Sequence, residues 1–129
     1  MKRTPKLAAA ALGAALLVPT LATSAQAAVS DCPSGKFCLF YNSNEQGSHL
    51  AVSTSIPDLA GYTFTSSGNG QGQHVKNNAA SAVSNVCVTV RVYYNSNYSG
   101  PVDLFNYRNA ANLVNTYNEN ASVRFAQDC

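Results

Sequence analysis

Two stretches of the chain, FYNSNEQG over Phe40–Gly47 and YYNSNYSG over Tyr93–Gly100, carry nearly the same eight residues 53 positions apart. Each follows an apolar run, turns through Asn-Ser-Asn and reaches a glycine, after which a second apolar run begins (SHLAVS in one copy, PVDLF in the other). Asn tolerates left-handed backbone and Gly takes positive φ without steric cost. Both copies therefore read as folded hairpins between two strands. Further along stand the Asn-rich turns NNAAS (Asn77–Ser81) and NENAS (Asn118–Ser122), each leading into a last strand, AVSNV or VRFA. Strand, bent hairpin, strand, connection, turn and strand make a four-strand Greek key unit. The unit is written twice, and two such units can bury their faces on each other.

Elsewhere the hydrophobic period is two. Val86, Val88, Val90, Val92 and Tyr94 share one parity, which predicts one long strand with a bend in it. Shorter alternations at Leu39/Tyr41, Leu50/Val52, Val102/Leu104 and Val123/Phe125 are bounded by Gly, Pro, Asn and Ser. The best helical window, RNAANLVNTY, is broken by Asn and Thr, and the glycines of TSSGNGQGQ predict a mobile surface loop.

The first 27 residues run from a basic MKRTPK through a short apolar stretch to Ala25-Gln26-Ala27, the order of a secretory signal peptide. Cleavage there leaves a mature chain of residues 28–129, with motif one over about 37–87 and motif two over about 88–129. The chain's net charge of +2 loses Lys2, Arg3 and Lys6 with the leader, and five basic against six acidic residues remain. No nucleic-acid partner is expected from such a balance, and no membrane partner either, because the leader's apolar run is shorter than the roughly 20 residues that span a bilayer.

All four cysteines lie in the exported part, where disulfides persist. Four allow three pairings. Cys32 and Cys38 flank the short PSGKF loop, whose Pro33 and Gly35 suit a turn, and Cys87 is left for Cys129. His49 and His74 stand apart from the cysteines, so a zinc site is not expected. No GxSxG turn or HExxH pair is present, and the six acids are scattered among turns. Binding, not catalysis, is the expected activity.

An aromatic, four residues, a second aromatic, one residue and Gly, with Ser later, resembles the βγ-crystallin double Greek key. Tyr93, Tyr98 and Gly100 match in full, whereas the first copy has Glu45 in place of the second aromatic. The start CPSGKFCLFYNSNEQG, with NNAASAVSNV later, is similar to the secreted proteins of peptidase inhibitor family I36, the Streptomyces metalloproteinase inhibitor-like family. The resemblance implies an all-β, crystallin-like sandwich. It also implies a secreted inhibitor of extracellular, thermolysin-like metallopeptidases, requiring no cofactor.

In that family the reactive bond is a Cys–Val peptide held by a disulfide, which corresponds here to Cys87–Val88. The competing reading places Val88 inside the alternating strand, as core. Calcium-binding crystallins use a turn of the form Asn/Asp, Asn/Asp, x, x, Ser/Thr, Ser, which singles out Asn77, Asn78 and Ser81 in one copy and Asn118, Glu119 and Ser122 in the other. Only Glu119 is charged, so any calcium is expected to bind weakly. Against it stands the reading in which these side chains only cap their turns. Two functions stay open: a peptidase inhibitor, and a calcium-linked structural or cell-surface module without a protease partner.

Overall fold

A computed structural model describes residues 31–129 and Gly13; the expected leader lies outside the described residues. Seven strands follow in order: β1 (Phe37–Asn42), β2 (Gln46–Val52), β3 (Ser81–Ser84), β4 (Val90–Asn95), β5 (Ser99–Phe105), β6 (Ala110–Asn112) and β7 (Ser122–Phe125). They form two antiparallel sheets, β2-β1-β3-β6 and β5-β4-β7.

The duplication is visible in the register. β1 pairs with β2 through Phe40↔His49 and Asn42↔Gln46, and β4 with β5 through Tyr93↔Val102 and Asn95↔Ser99, with a register shift at the same place in each hairpin. Asn44 and Glu45 take φ of 57° and 55°, and Asn97 and Tyr98 take 61° and 58°. The hairpin of the first copy thus folds like that of the second, although Glu45 replaces an aromatic. Gly47 and Gly100 cannot be replaced cheaply. A Cβ on Gly47 would lie 2.8 Å from the Asn69 carbonyl oxygen, and one on Gly100 would lie 2.6 Å from Asn95 Nδ2.

Each hairpin is clasped by the serine that opens the last strand of its unit. Ser81 Oγ donates to the Asn42 carbonyl at 2.6 Å and accepts from the Glu45 N–H at 2.9 Å. Ser122 Oγ donates to the Asn95 carbonyl at 2.6 Å and accepts from the Tyr98 N–H at 3.1 Å. Both serines are fully buried, so these bonds satisfy groups that water cannot reach.

The two units exchange their third elements. β6, from the second half of the chain, completes the first sheet beside β3. Ile56, from the first half, bridges Val123 of the second sheet, with backbone bonds in both directions at 2.8 and 3.0 Å. The same pseudo-symmetry continues where Leu59 N donates to Ala121 O and Leu113 N donates to Ala80 O. Between the sheets lies a core of Phe37, Leu39, Phe64, Val90, Val92, Phe105 and Val123, among others, with Phe37 and Phe105 edge to face at 5.4 Å.

The expected long strand from Val86 to Tyr94 is not continuous. Residues 86–88 form a bend, and pairing begins only at Val90. The alternation there has another cause: Val86 and Val88 turn inward and pack on the core from outside the sheet.

The glycine-rich loop also differs from expectation. β1 and β4 are offset by 53 residues but β3 and β7 by only 41, so the first connection is 12 residues longer. That extra chain is seated on β2. Asn69 O accepts from Ser48 N at 2.8 Å, and Ser66 Oγ accepts from His49 N at 2.7 Å. Phe64 is buried and meets Tyr41 edge-on at 5.6 Å. Gly70 lies so close to the Tyr41 ring that an added Cβ would fall 2.1 Å from its Cγ. The inserted loop covers the free edge of β2, a common way of protecting an edge strand.

Candidate functional site

The peptide bond singled out in the sequence, Cys87–Val88, lies on the bend between β3 and β4 and not within a strand. Cys87 is exposed and bonded to Cys129, with Cα atoms 5.2 Å apart. Val88 is half-buried against the core. Both ends of the bend are pinned. Before it, Ser84 N donates to Asn109 O and Asn85 N to Lys36 O, both at 2.9 Å; after it, Ala126 N donates to Thr89 O at 2.9 Å. The bend therefore carries one exposed sulfur crosslink and two inward valines. A short covalent loop around the bond is absent, because the second disulfide spans 42 residues. By loop entropy that bridge stabilises the fold by about 4 kcal/mol, and the six-residue Cys32–Cys38 bridge by about 2 kcal/mol.

The six residues named for calcium divide differently from the two triplets in which the sequence presents them. Ser81 and Ser122 are the hairpin clasps, with their hydroxyl protons committed. Asn77 and Asn118 adopt φ of 64° and 53°, and each turn bonds the other: Asn77 N donates to Asn120 O, and Asn118 N to Ala79 O. Asn120, which the sequence reading passed over, is fully buried between the turns; it accepts from Ala79 N at 3.0 Å and donates to Val75 O at 2.9 Å. Asn78 and Asn118, from the two copies, line one open cleft of about 360 Å³ together with Tyr41, Asn42, Ser43, Ala80 and Tyr117. No carboxylate lines it, and Glu119 is exposed elsewhere on the turn. The donors offered to a cation there are neutral oxygens.

Of the histidines, His74 is exposed and His49 lies under the inserted loop. His49 Nδ1 stands 3.1 Å from Ser66 Oγ, which is itself 3.4 Å from Ser48 Oγ. A serine beside a histidine has the outline of a nucleophile and base. Here, however, Ser66 Oγ also accepts the His49 backbone N–H, which ties loop to strand. Burial holds the His49 pKa below its ordinary value, partly opposed by the charge of Asp31. Among the described residues no group of three His, Cys, Asp or Glu side chains could hold a metal ion, and no helix is long and apolar enough to cross a membrane.

The model of peptidase inhibitor family I36 matches residues 25–105, well over half of the chain. The chain belongs to peptidase inhibitor family I36. No curated protein sequence matches it significantly. Among solved structures it is similar to a βγ-crystallin domain described for the evolution of the eye-lens fold (12% identity, TM-score 0.59, 76% of this chain and 92% of that one). It is also similar to a βγ-crystallin from Ciona intestinalis (20% identity, TM-score 0.53, 71% and 100%) and to the N-terminal domain of protein S (20% identity, TM-score 0.53, 70% and 94%). At these identities the neighbours establish the fold alone, a βγ-crystallin double Greek key.

For an I36 chain the partner class is a peptidase, and the membership fits a binding protein more than an enzyme. The two disulfides fit an extracellular protein. The match ends at Phe105, so β6, β7 and Cys129 lie beyond it.

Proposed function

We propose that this I36 protein is exported and binds extracellular metallopeptidases of the thermolysin type, presenting the Cys87–Val88 bond to their active site. The observation that carries the reading is the position of that bond on a bend anchored by a disulfide and by backbone bonds on both sides. A segment already held in its bound shape loses little freedom on association, and this lowers the cost of binding. Thermolysin-like enzymes favour an apolar residue just after the cleaved bond, and Val88 has that character. The decisive variant is Val88→Asp. Val88 is half-buried against the core, so the fold of this variant is verified by melting; once folded, it is expected to weaken inhibition at least tenfold, because a carboxylate must lose its water in an apolar pocket. If the folded variant inhibits at full strength, the bait lies elsewhere.

A second reading, weak calcium binding, rests on the cleft where Asn42, Asn78 and Asn118 converge. Neutral donors set its expected dissociation constant near millimolar, the range of extracellular modules. Calorimetry with calcium, alongside the melting temperature, tests it. No heat and no shift at millimolar calcium would remove the second reading without touching the first.

A further inference from the structure

The two sheets are related by duplication, yet their outer faces are finished in opposite ways. On the first sheet the outward positions are Cys38, Phe40, His49, Ala51 and Val83. Cys38, Phe40, Val83 and Cys32 form a buried cluster of their own, against which Ala51 packs. The segment before β1 seals this face: Cys32 is bonded to Cys38, Gly35 N donates to Asn85 O, and Asn85 N donates to Lys36 O.

Through the registers of the two hairpins and of β3 and β7, those positions correspond to Arg91, Tyr93, Val102, Leu104 and Arg124 on the second sheet. They lie opposite the inward Val90, Val92 and Val123. Among the described residues no segment seals them as the one before β1 seals the first sheet. Leu104 is 55% exposed, Arg124 is exposed, and Arg91, Tyr93 and Val102 are half-exposed.

The charges on this face are unusual for a fold of low net charge. Arg91 and Arg124 are direct cross-strand partners on one face, a placement that opposes folding through like-charge repulsion. Among the described residues the only ion pair is Lys76–Asp58, so no carboxylate neutralises either arginine. Asp103, on the neighbouring strand, has both oxygens engaged by Val114, Asn115 and Thr116. Arg124 instead lies over the Tyr98 ring at 5.5 Å, and Tyr98 stands edge-on to Tyr93 at 6.1 Å. Two cations without a carboxylate partner, on an aromatic and aliphatic floor, match a surface that brings carboxylates. Arg is well suited to that role because its planar fork meets a carboxylate with two parallel bonds. The face also joins the bend directly, since Arg91 opens three residues after Val88.

We infer that the outer face of the β5-β4-β7 sheet is a second contact surface for the inhibited peptidase, on which Arg91 and Arg124 receive an acidic patch next to that enzyme's active-site cleft. The inference rests on the inhibitor reading above and adds to it a site remote from the bait. Arginines at such a rim act chiefly on the rate of encounter and on its salt dependence.

The test compares mature wild-type protein with the double variants R91E/R124E and R91K/R124K, titrated against a thermolysin-like peptidase at low and high salt. Circular dichroism and melting verify the fold. The reversed charges are expected to slow association about tenfold or more at low salt, with the difference shrinking at high salt, while the lysine variant, which keeps the charge but not the fork, associates at near the wild-type rate. Should wild type inhibit and R91E/R124E inhibit equally fast at every salt concentration, the second surface is refuted and the inhibitor reading stands. Should wild type fail to inhibit, the inhibitor reading falls and this assignment falls with it. A loss that is independent of salt and shared by the lysine variant would mark a packing role and refute the electrostatic one.

Discussion

Ser81 and Ser122 each hold two backbone groups of a hairpin that lies far away in sequence, and neither position is open to water. Replacing either by Ala leaves a hairpin carbonyl and a hairpin N–H without their serine partner. The expected cost is about 1–3 kcal/mol for each variant, read as a lower urea midpoint at unchanged slope. His49 carries the pH dependence at this scale. Burial favours its neutral ring in the folded protein, so its folded pKa lies below the unfolded value of 6.5. Its contribution to stability is complete above that value and is lost as the pH falls through it and on through the lower folded value. Glu45 works in the opposite sense, because burial raises its pKa and protonation relieves a cost in the folded state. The variant His49→Gln separates the two. The wild type should lose stability relative to it between neutral and mildly acid pH, in melts recorded across that range. Parallel curves would clear His49.

At the scale of elements, the inserted loop makes a sharp comparison. Gly70 and Gly72 have nearly equal φ of 87° and 84°, but only Gly70 lies against a ring. Gly72→Ala should cost about 1–2 kcal/mol for the left-handed backbone alone, and Gly70→Ala clearly more, since Tyr41 must move. Equal melting temperatures for the two would show that the loop is not seated on Tyr41. The hairpins were legible in the sequence because Asn44, Asn97, Gly47 and Gly100 are chemically suited to the backbone they adopt. The exchange of third elements was not legible. Its contribution from the first copy is a bridge at one residue, Ile56, which leaves no alternation to read. The parity from Val86 onward misled for a related reason: a bend can bury two valines two residues apart as well as a pleat can. The loop around Gly68, Gly70 and Gly72 read as mobile because close approach to Tyr41 and flexibility call for the same residue. In the candidate site, the Asn turns and their serines were found, but the sequence could not show that the serines face distant hairpins and that Asn78 lines one cleft with Asn118 of the other copy.

Over the whole molecule, duplication supplies the architecture and its imperfections supply the surfaces. The first copy spends its additional chain on closure: a disulfide loop over one face and a 12-residue insertion over one edge. Among the described residues the second copy leaves its face open, and the Cys87–Val88 bend lies at the junction between the units. Membership in I36 points to a peptidase as the partner, and the two disulfides brace the small core of the crystallin fold. The central proposal is that this I36 protein acts by binding a metallopeptidase stoichiometrically. The direct measurement is a titration of a thermolysin-like enzyme, at a concentration well above the expected dissociation constant, with purified mature protein. The account predicts that residual activity falls in a straight line to near zero at about one inhibitor per enzyme, with the Cys87–Val88 bond in the contact. Activity that is unchanged with the inhibitor in several-fold excess would contradict it.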